Sequence, residues 1–224
     1  SPEAAKIFKY PNKKVLPPAG ESLFKNFKQS RRYTLEKNTS SNAIYVGGIS
    51  KGYGTDFLIN AFKQLNQNKI HCKLIFVCRK AEFENSALKD HNFSWLNIVH
   101  AQGDDLVKLY QKADIALLPI NSNNPYHNKA VSVKLFEYMS YALPIVSTPA
   151  ASMAKIIKQY DIGFVTKSYS EQEFSQAILK VITNSKIYTK YQNNIISAIE
   201  KENLWIHRAK QIINDLNDIS INLQ

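Results

Sequence analysis

From about residue 42 the apolar residues follow two alternating rhythms. Short unbroken apolar runs occur at AIYVG (43–47), KLIFVC (73–78), NIVHA (97–101), DIALLPI (114–120), PIVST (144–148) and IGFVT (162–166). Between them lie longer stretches whose apolar positions recur every three or four residues, the spacing of one face of a helix. These are TDFLINAFKQL (55–65), a weaker stretch at 81–90, DDLVKLYQKA (104–113), SVKLFEYMSYA (132–142) and ASMAKIIKQY (151–160). EQEFSQAILKVIT (171–183) then opens a helical tail that runs nearly to the end. In the first helix Phe57, Leu58, Ala61, Phe62 and Leu65 share a face, and in the third Leu106, Leu109, Tyr110 and Ala113 do.

Six strand–helix alternations with unbroken rather than alternating apolar strands predict a parallel sheet covered on both sides. Right-handed crossovers make this a doubly wound, Rossmann-like α/β sheet of about six strands, with helices on both faces and a helical C-terminal tail. Residues 1–40 lack that rhythm. They hold a short basic helix candidate near 3–9, followed by Pro17-Pro18 and Gly20, which mark a bend or linker. The chain therefore divides into a basic arm (1–40), the sheet domain (41–185) and C-terminal helices packing on it (186–224).

Composition adds constraints. No run of about 18 apolar residues is present, so no membrane-spanning helix is predicted. Ser1 is not a starting methionine and no apolar signal core follows it, so the sequence reads as a piece of a longer chain, with a processed or tagged start as the alternative. Cys72 and Cys78 flank one apolar run; they read as buried free thiols, which fits a reducing cytoplasm. The net charge of +11 favours anionic partners. Much of the excess sits early, in Lys6, Lys9, Lys13, Lys14, Lys25, Lys28, Arg31, Arg32 and Lys37, which form either a solvated basic surface or a patch for an anionic membrane. No nucleic-acid-binding signature accompanies the charge.

In a sheet of this kind ligands bind beyond the carboxyl ends of the strands. The first strand-to-helix turn is GGISKGYG (47–54), where Gly47, Gly48, Gly52 and Gly54 let backbone N–H groups approach a phosphate and Lys51 adds a charge. Its spacing matches neither the dinucleotide nor the P-loop pattern, and a flexible turn that holds no ligand is the alternative. The second cluster opens the 132–142 helix. Ser132 is a candidate N-cap, and the free N–H groups behind it, Val133 first, face the strand ends. Lys134 lies in the first turn, where a cation opposes the helix dipole and an anionic ligand would resolve the conflict. Glu137, three residues on, shares its face and suits ribose hydroxyls; a plain Lys134–Glu137 surface pair is the alternative. Arg79, after the second strand, is within reach of a phosphate or simply exposed. His127 stands alone in its loop, and Asp104 and Asp105 read as helix N-terminal caps. No metal-ligand spacing appears.

The segments GGI…YGTDFLINAF, DDLVKLYQKADIALLPI and VKLFEYMSYALPIVST together resemble the C-terminal domain of GT-B-fold glycosyltransferases, group 1 (family 4) and its relatives. The likeness covers roughly residues 14–215. KVLPPAGES resembles the junction leaving the first domain, and NLWIHRAKQI (203–212) the closing helix that returns toward it. The resemblance implies a nucleotide-sugar donor site with no cofactor or bound metal, UDP or GDP as the nucleotide, and an N-terminal acceptor-binding domain; the reduced cysteines and the basic arm add the expectation of a cytoplasmic enzyme, peripheral at the inner membrane face. Its contacts would fall on Gly47, Gly48, Lys51, Gly52, Arg79, Ser132, Val133, Lys134 and Glu137; the base would meet the strand end at His100 and Ala101. Three positions depart from the family. Gly48 replaces its diphosphate-binding arginine, Tyr53 its lysine, and Lys129 the first of two glutamates eight positions apart, of which Glu137 matches the second. Lys134-x-x-Glu137 is closer to relatives that set a lysine on the pyrophosphate. Two functions follow: a donor domain transferring sugar to a glycan or lipid-linked acceptor, or a degenerate donor domain that supports another transferase.

Overall fold

The computed structural model describes residues 5, 6, 9, 14–27 and 40–221. The helix expected near 3–9 lies almost wholly outside the described residues. Six strands, β1 (Ser41–Val46), β2 (Cys72–Val77), β3 (Leu96–Val99), β4 (Ile115–Leu118), β5 (Ile145–Ser147) and β6 (Gly163–Val165), form one sheet in the order β3-β2-β1-β4-β5-β6. Every pairing is parallel, with Ala43 against Leu74 on one side and Ile115 on the other. This is the doubly wound sheet the sequence predicts. The order reverses between β1 and β4, and that crossover point is where such a fold opens a crevice.

The continuous apolar runs are explained by two cores, one on each face. Ala43, Tyr45, Leu74, Phe76 and Ile115 point into a core closed by α1 (Thr55–Leu65) and α7 (Glu171–Thr183). Ile44, Ile75, Val77, Ala116 and Ile145 point the other way, against α3 (Asp104–Lys112), α5 (Val133–Ser140), α6 (Ala151–Tyr160) and α8 (Ser185–Glu202). Phe62, Phe76 and Phe136 are almost completely buried, each stabilising the fold by about 1.5–3 kcal/mol. The remaining helices are α2 (Lys80–Glu84), α4 (Pro125–Lys129) and α9 (Trp205–Ile221).

Several boundaries differ from the periodicity, each for a local reason. The 81–90 stretch breaks into α2 and a 3-10 turn, Ala87–Asp90, because the Ser86 hydroxyl donates to Phe83 O (2.8 Å) and accepts from Leu88 N (3.3 Å). The tail is three helices, since the Asn184 side chain caps α8 by accepting from Ile187 N (3.0 Å). Asp104 and Asp105 are not caps: Gly103 holds that position with φ 56°, and the two acids fill the first turn, where they complement the helix dipole. Helix α4 has no apolar periodicity. It is held from outside, by Asn128 Oδ1 accepting from Ala151 N (2.7 Å) and Ser152 Oγ donating to Lys129 O (2.8 Å).

The described part of the arm is tied to the C-terminal helices. Gly20 N–H donates to Asn203 O (2.9 Å), and Trp205 N–H donates to Gly20 O (3.3 Å). Arg208, 9% exposed, donates to Pro17 O (3.1 Å), Pro18 O (3.4 Å), Glu202 O (2.9 Å) and Asn203 Oδ1 (2.8 Å). Phe24 is inserted into the second core. Of the early basic residues, Lys14 pairs with Asp215 (3.2 Å) and Lys25 with Glu200 (3.1 Å); Lys13, Lys28, Arg31, Arg32 and Lys37 lie outside the described residues. No helix among the described residues is long and apolar enough to cross a membrane.

Candidate functional site

At the crossover point the β1–α1 turn faces the start of α5. Gly47 continues the ladder, its N–H donating to Val77 O (2.9 Å), so that this N–H is not available to a ligand. What Gly47 supplies instead is room. A Cβ there would collide with the Lys134 ammonium and stand 2.6 Å from the Tyr45 hydroxyl. Glycine thus lets the lysine of α5 lie directly on the β1 strand end. The Tyr45 hydroxyl donates to Gly48 O (3.0 Å), and a Cβ on Gly48 would come within 2.9 Å of the Tyr53 ring. Gly52 packs under His127, whose Cε1 a Cβ would approach to 3.0 Å. Lys51 lies in a 3-10 turn, Lys51–Tyr53; its side chain is outside the described residues.

Lys134 is the centre of the arrangement. Ser132 caps α5, its hydroxyl accepting from Lys134 N–H (3.3 Å), which leaves the Val133 N–H without a partner among the described residues. The Lys134 Nζ lies over the rings of Tyr45 (5.0 Å to the centroid) and Tyr53 (5.2 Å), and none of the described ion pairs includes it. The simple Lys134–Glu137 surface pair is therefore not formed. Burial pushes the Lys134 pKa down to about 8, with Glu137 and then Glu82 acting in the opposite direction. A half-buried ammonium resting on two aromatic faces beside a helix N-terminus lacks an anion. Tyr138, one residue past Glu137, fixes the helix to the strand by accepting from Val46 N–H (3.1 Å).

Two cavities meet at Lys134. The larger, about 870 Å³, runs over the ends of β1, β2 and β3 and is lined by Gly47, Gly48, Arg79, His100, Ser132 and Lys134 among others. The smaller, about 210 Å³, lies over β4 and is lined by Tyr45, Tyr53, His127, Lys134 and Met153. Val133 also faces the larger cavity, whereas Glu137 lines neither. Glu137 is half-buried one turn further along α5, beside the buried Tyr110 phenol. Arg79 is 87% exposed and pairs with Glu82 at 3.5 Å. The imidazole Nδ1 of His100 lies 3.0 Å from Cys78 O, so in the neutral ring Nδ1 carries the proton and Nε2 is left as an acceptor. Cys72 and Cys78 are free and buried, and burial raises the Cys78 thiol to about 11. No cluster of three or more His, Cys, Asp or Glu side chains able to hold a metal occurs among the described residues.

Sequence reasoning overlooked Tyr45, Tyr53 and Glu82 as site residues. Tyr45 sits inside an apolar strand run, where it reads as core. Tyr53 is noticeable only as a substitution. Glu82 lies in a weakly periodic stretch; only its position just after a strand end signals its role.

The family profile described as "Glycosyl transferases group 1" matches residues 26–201. No curated protein matches the chain. Among solved structures, WaaG, a glycosyltransferase involved in lipopolysaccharide biosynthesis, superposes with a TM-score of 0.66 at 20% identity, over 88% of this chain and 55% of its own. Sucrose-phosphate synthase from Thermosynechococcus elongatus gives 0.75 at 13% identity, over 99% of this chain and 57% of its own. The C-terminal domain of the group 1 protein LpcC from Francisella tularensis gives 0.59 at 17% identity, over 85% of this chain and 97% of its own. The chain thus spans about half the length of WaaG and the synthase but nearly all of the isolated LpcC domain. At these identities the likeness is one of fold, and it is the profile, matching well over half of the residues, that establishes the chain as a member of the group 1 glycosyl transferases.

Proposed function

We propose that this chain is the donor-binding domain of its transferase and takes a nucleotide-sugar across the crossover point. The diphosphate lies between Gly47–Gly48 and the α5 start, bonded to Lys134, the Val133 N–H and Lys51. The nucleoside extends over β2 and β3 toward His100 and Ala101, and Glu137 is the acceptor for its ribose hydroxyls. The sugar points into the 210 Å³ cavity. The observation that carries this reading is the unpaired, half-buried Lys134 ammonium seated on Gly47. Further support comes from structural neighbours: the Anabaena protein HepE was crystallised with UDP and glucose, and an E. coli trehalose-6-phosphate protein with UDP-2-fluoro glucose. UDP or GDP is the expected nucleotide, with no cofactor.

The acceptor, a glycan or lipid-linked sugar, belongs to a second domain. On α9, Trp205, Ile206 and Ile213 are 51%, 55% and 56% exposed, a face suited to that domain. The basic arm would hold the enzyme at the anionic inner membrane face. Calorimetric titration of this chain with UDP, GDP and ADP tests the site, and comparison with the full-length protein tests the division of labour. Donor binding without sugar transfer by this chain alone is expected; transfer at the full-length rate would refute it. A second reading, a degenerate donor domain serving another transferase, is favoured by Gly48, Tyr53 and Lys129 standing where the family has arginine, lysine and glutamate. Absence of binding to any of the nucleotides would select it.

A further inference from the structure

The glycine-rich turn already holds an anion of the protein's own. Glu82, in the first turn of α2, reaches across to the β1–α1 turn and accepts from Ile49 N–H at 3.0 Å. A Cβ on Gly48 would stand 3.1 Å from the same carboxylate oxygen, so the carboxylate lies against the backbone that would receive a phosphate. Among the described ion pairs the other oxygen meets Arg79 alone, at 3.5 Å, through a side chain 87% exposed, and the carboxylate also acts on the Lys134 ammonium through space. Water screens such a pair, leaving much of the negative charge in place. The carboxylate also lines the larger cavity, together with Gly47 and Lys134.

Glycosyl transfer changes the charge of the ligand facing that acid. The bond between the anomeric carbon and the terminal phosphate oxygen breaks, and its electron pair stays on the oxygen. The anomeric carbon bonds to the acceptor oxygen, whose proton leaves to a base or solvent. The product nucleoside diphosphate thus carries more negative charge on its terminal phosphate than the sugar-capped donor. We propose that Glu82 is a specificity-determining residue of the donor site: its fixed charge at the turn disfavours the free nucleoside diphosphate relative to the nucleotide-sugar. It thereby favours loading of donor and departure of product. The proposal rests on the donor-site reading above.

The test is calorimetry on this chain at low salt and pH 7 with uridine, UDP and UDP-glucose, or with guanosine, GDP and GDP-mannose if only guanine ligands bind. Glu82→Gln keeps the shape and an acceptor for Ile49 N–H while removing the charge. It should tighten UDP by about 5- to 20-fold, UDP-glucose by less than about threefold, and leave uridine unchanged. Glu82→Ala should repeat the selective gain, and about 0.5 M salt should narrow the gap between wild type and Glu82→Gln. Equal gains for UDP and UDP-glucose, or weaker UDP binding in both variants, would overturn the proposal while leaving the donor site standing. A wild type that binds no diphosphate ligand of either base would overturn both.

Discussion

Replacing Lys134 with methionine removes one charge from the crossover point and keeps most of the side-chain volume. Burial moves the lysine from an ordinary 10.5 to about 8, which at about 1.4 kcal/mol per unit places about 3 kcal/mol of strain on its charged form. The ammonium is only half-buried, so solvent screening reduces this to about 2 kcal/mol. A diphosphate docked against it relieves that strain. Lys134→Met should therefore weaken UDP about 30-fold at pH 7, as read by calorimetry, and leave uridine within about twofold. In the wild type, UDP affinity should fall above about pH 8, where the free protein loses the Lys134 proton, while the variant stays level up to pH 9.5. Stability should move the other way. The folded pKa lies below the unfolded one, so holding the proton penalises the folded state in full below pH 8, and the penalty fades as pH rises toward 10.5. Lys134→Met should accordingly be the more stable protein at pH 7, by about 1 kcal/mol or about 2–4 °C in Tm, with the difference shrinking by pH 10. Equal losses for UDP and uridine, or a lower Tm in the variant, would refute the reasoning.

Glu137→Ala should cost about 1–3 kcal/mol for uridine and UDP alike, because it removes a charged acceptor for ribose hydroxyls; a loss confined to UDP would place Glu137 on the phosphates instead. Gly47→Ala should displace the Lys134 ammonium and lower UDP affinity at least about tenfold while the circular dichroism spectrum stays that of the wild type; unchanged affinity would show that the lysine does not need this seat. Arg208→Met leaves the carbonyls of Pro17, Pro18 and Glu202 without their donor and should destabilise the chain by about 2–4 kcal/mol in urea unfolding. A loss below about 0.5 kcal/mol would mean that the arm contributes little to the domain's stability.

The sheet was legible because burial on both faces leaves an unambiguous record, with Ala43 to Tyr45 and Leu74 to Val77 apolar at consecutive positions. The start of α5 was legible too, since Ser132, Lys134 and Glu137 are chemically odd neighbours at a helix N-terminus. What stayed hidden were relations across the sheet. Nothing local in AIYVG says that the Tyr45 ring supports a lysine 89 positions away, nor that Glu82 bonds to Ile49. Such contacts follow from the order β2-β1-β4, which the apolar pattern leaves open. Helix α4 was missed for a related reason: its stability comes from α6 and not from its own periodicity. The glycine-rich turn suggests free N–H groups, whereas the Gly47 N–H belongs to the β-ladder and the residue matters for the volume it leaves empty.

The arm, held by Arg208 and by Gln211 Nε2 donating to Val15 O (3.3 Å), also bears on the order in which the chain assembles. Its bonds join residues 191 and 196 positions apart, whereas β1 and β2 close over about 30. Loop-closure entropy makes such contacts late to form, after the sheet and the C-terminal helices have been built. The same few bonds are therefore the first to open from the native state, withdrawing Phe24 from the edge of the second core and exposing the α5–α8 seam beneath it while the first core stays closed. In hydrogen exchange the amides of Gly20 and Glu21 should report this partial opening, at a lower free energy than the amides of β1 and β4.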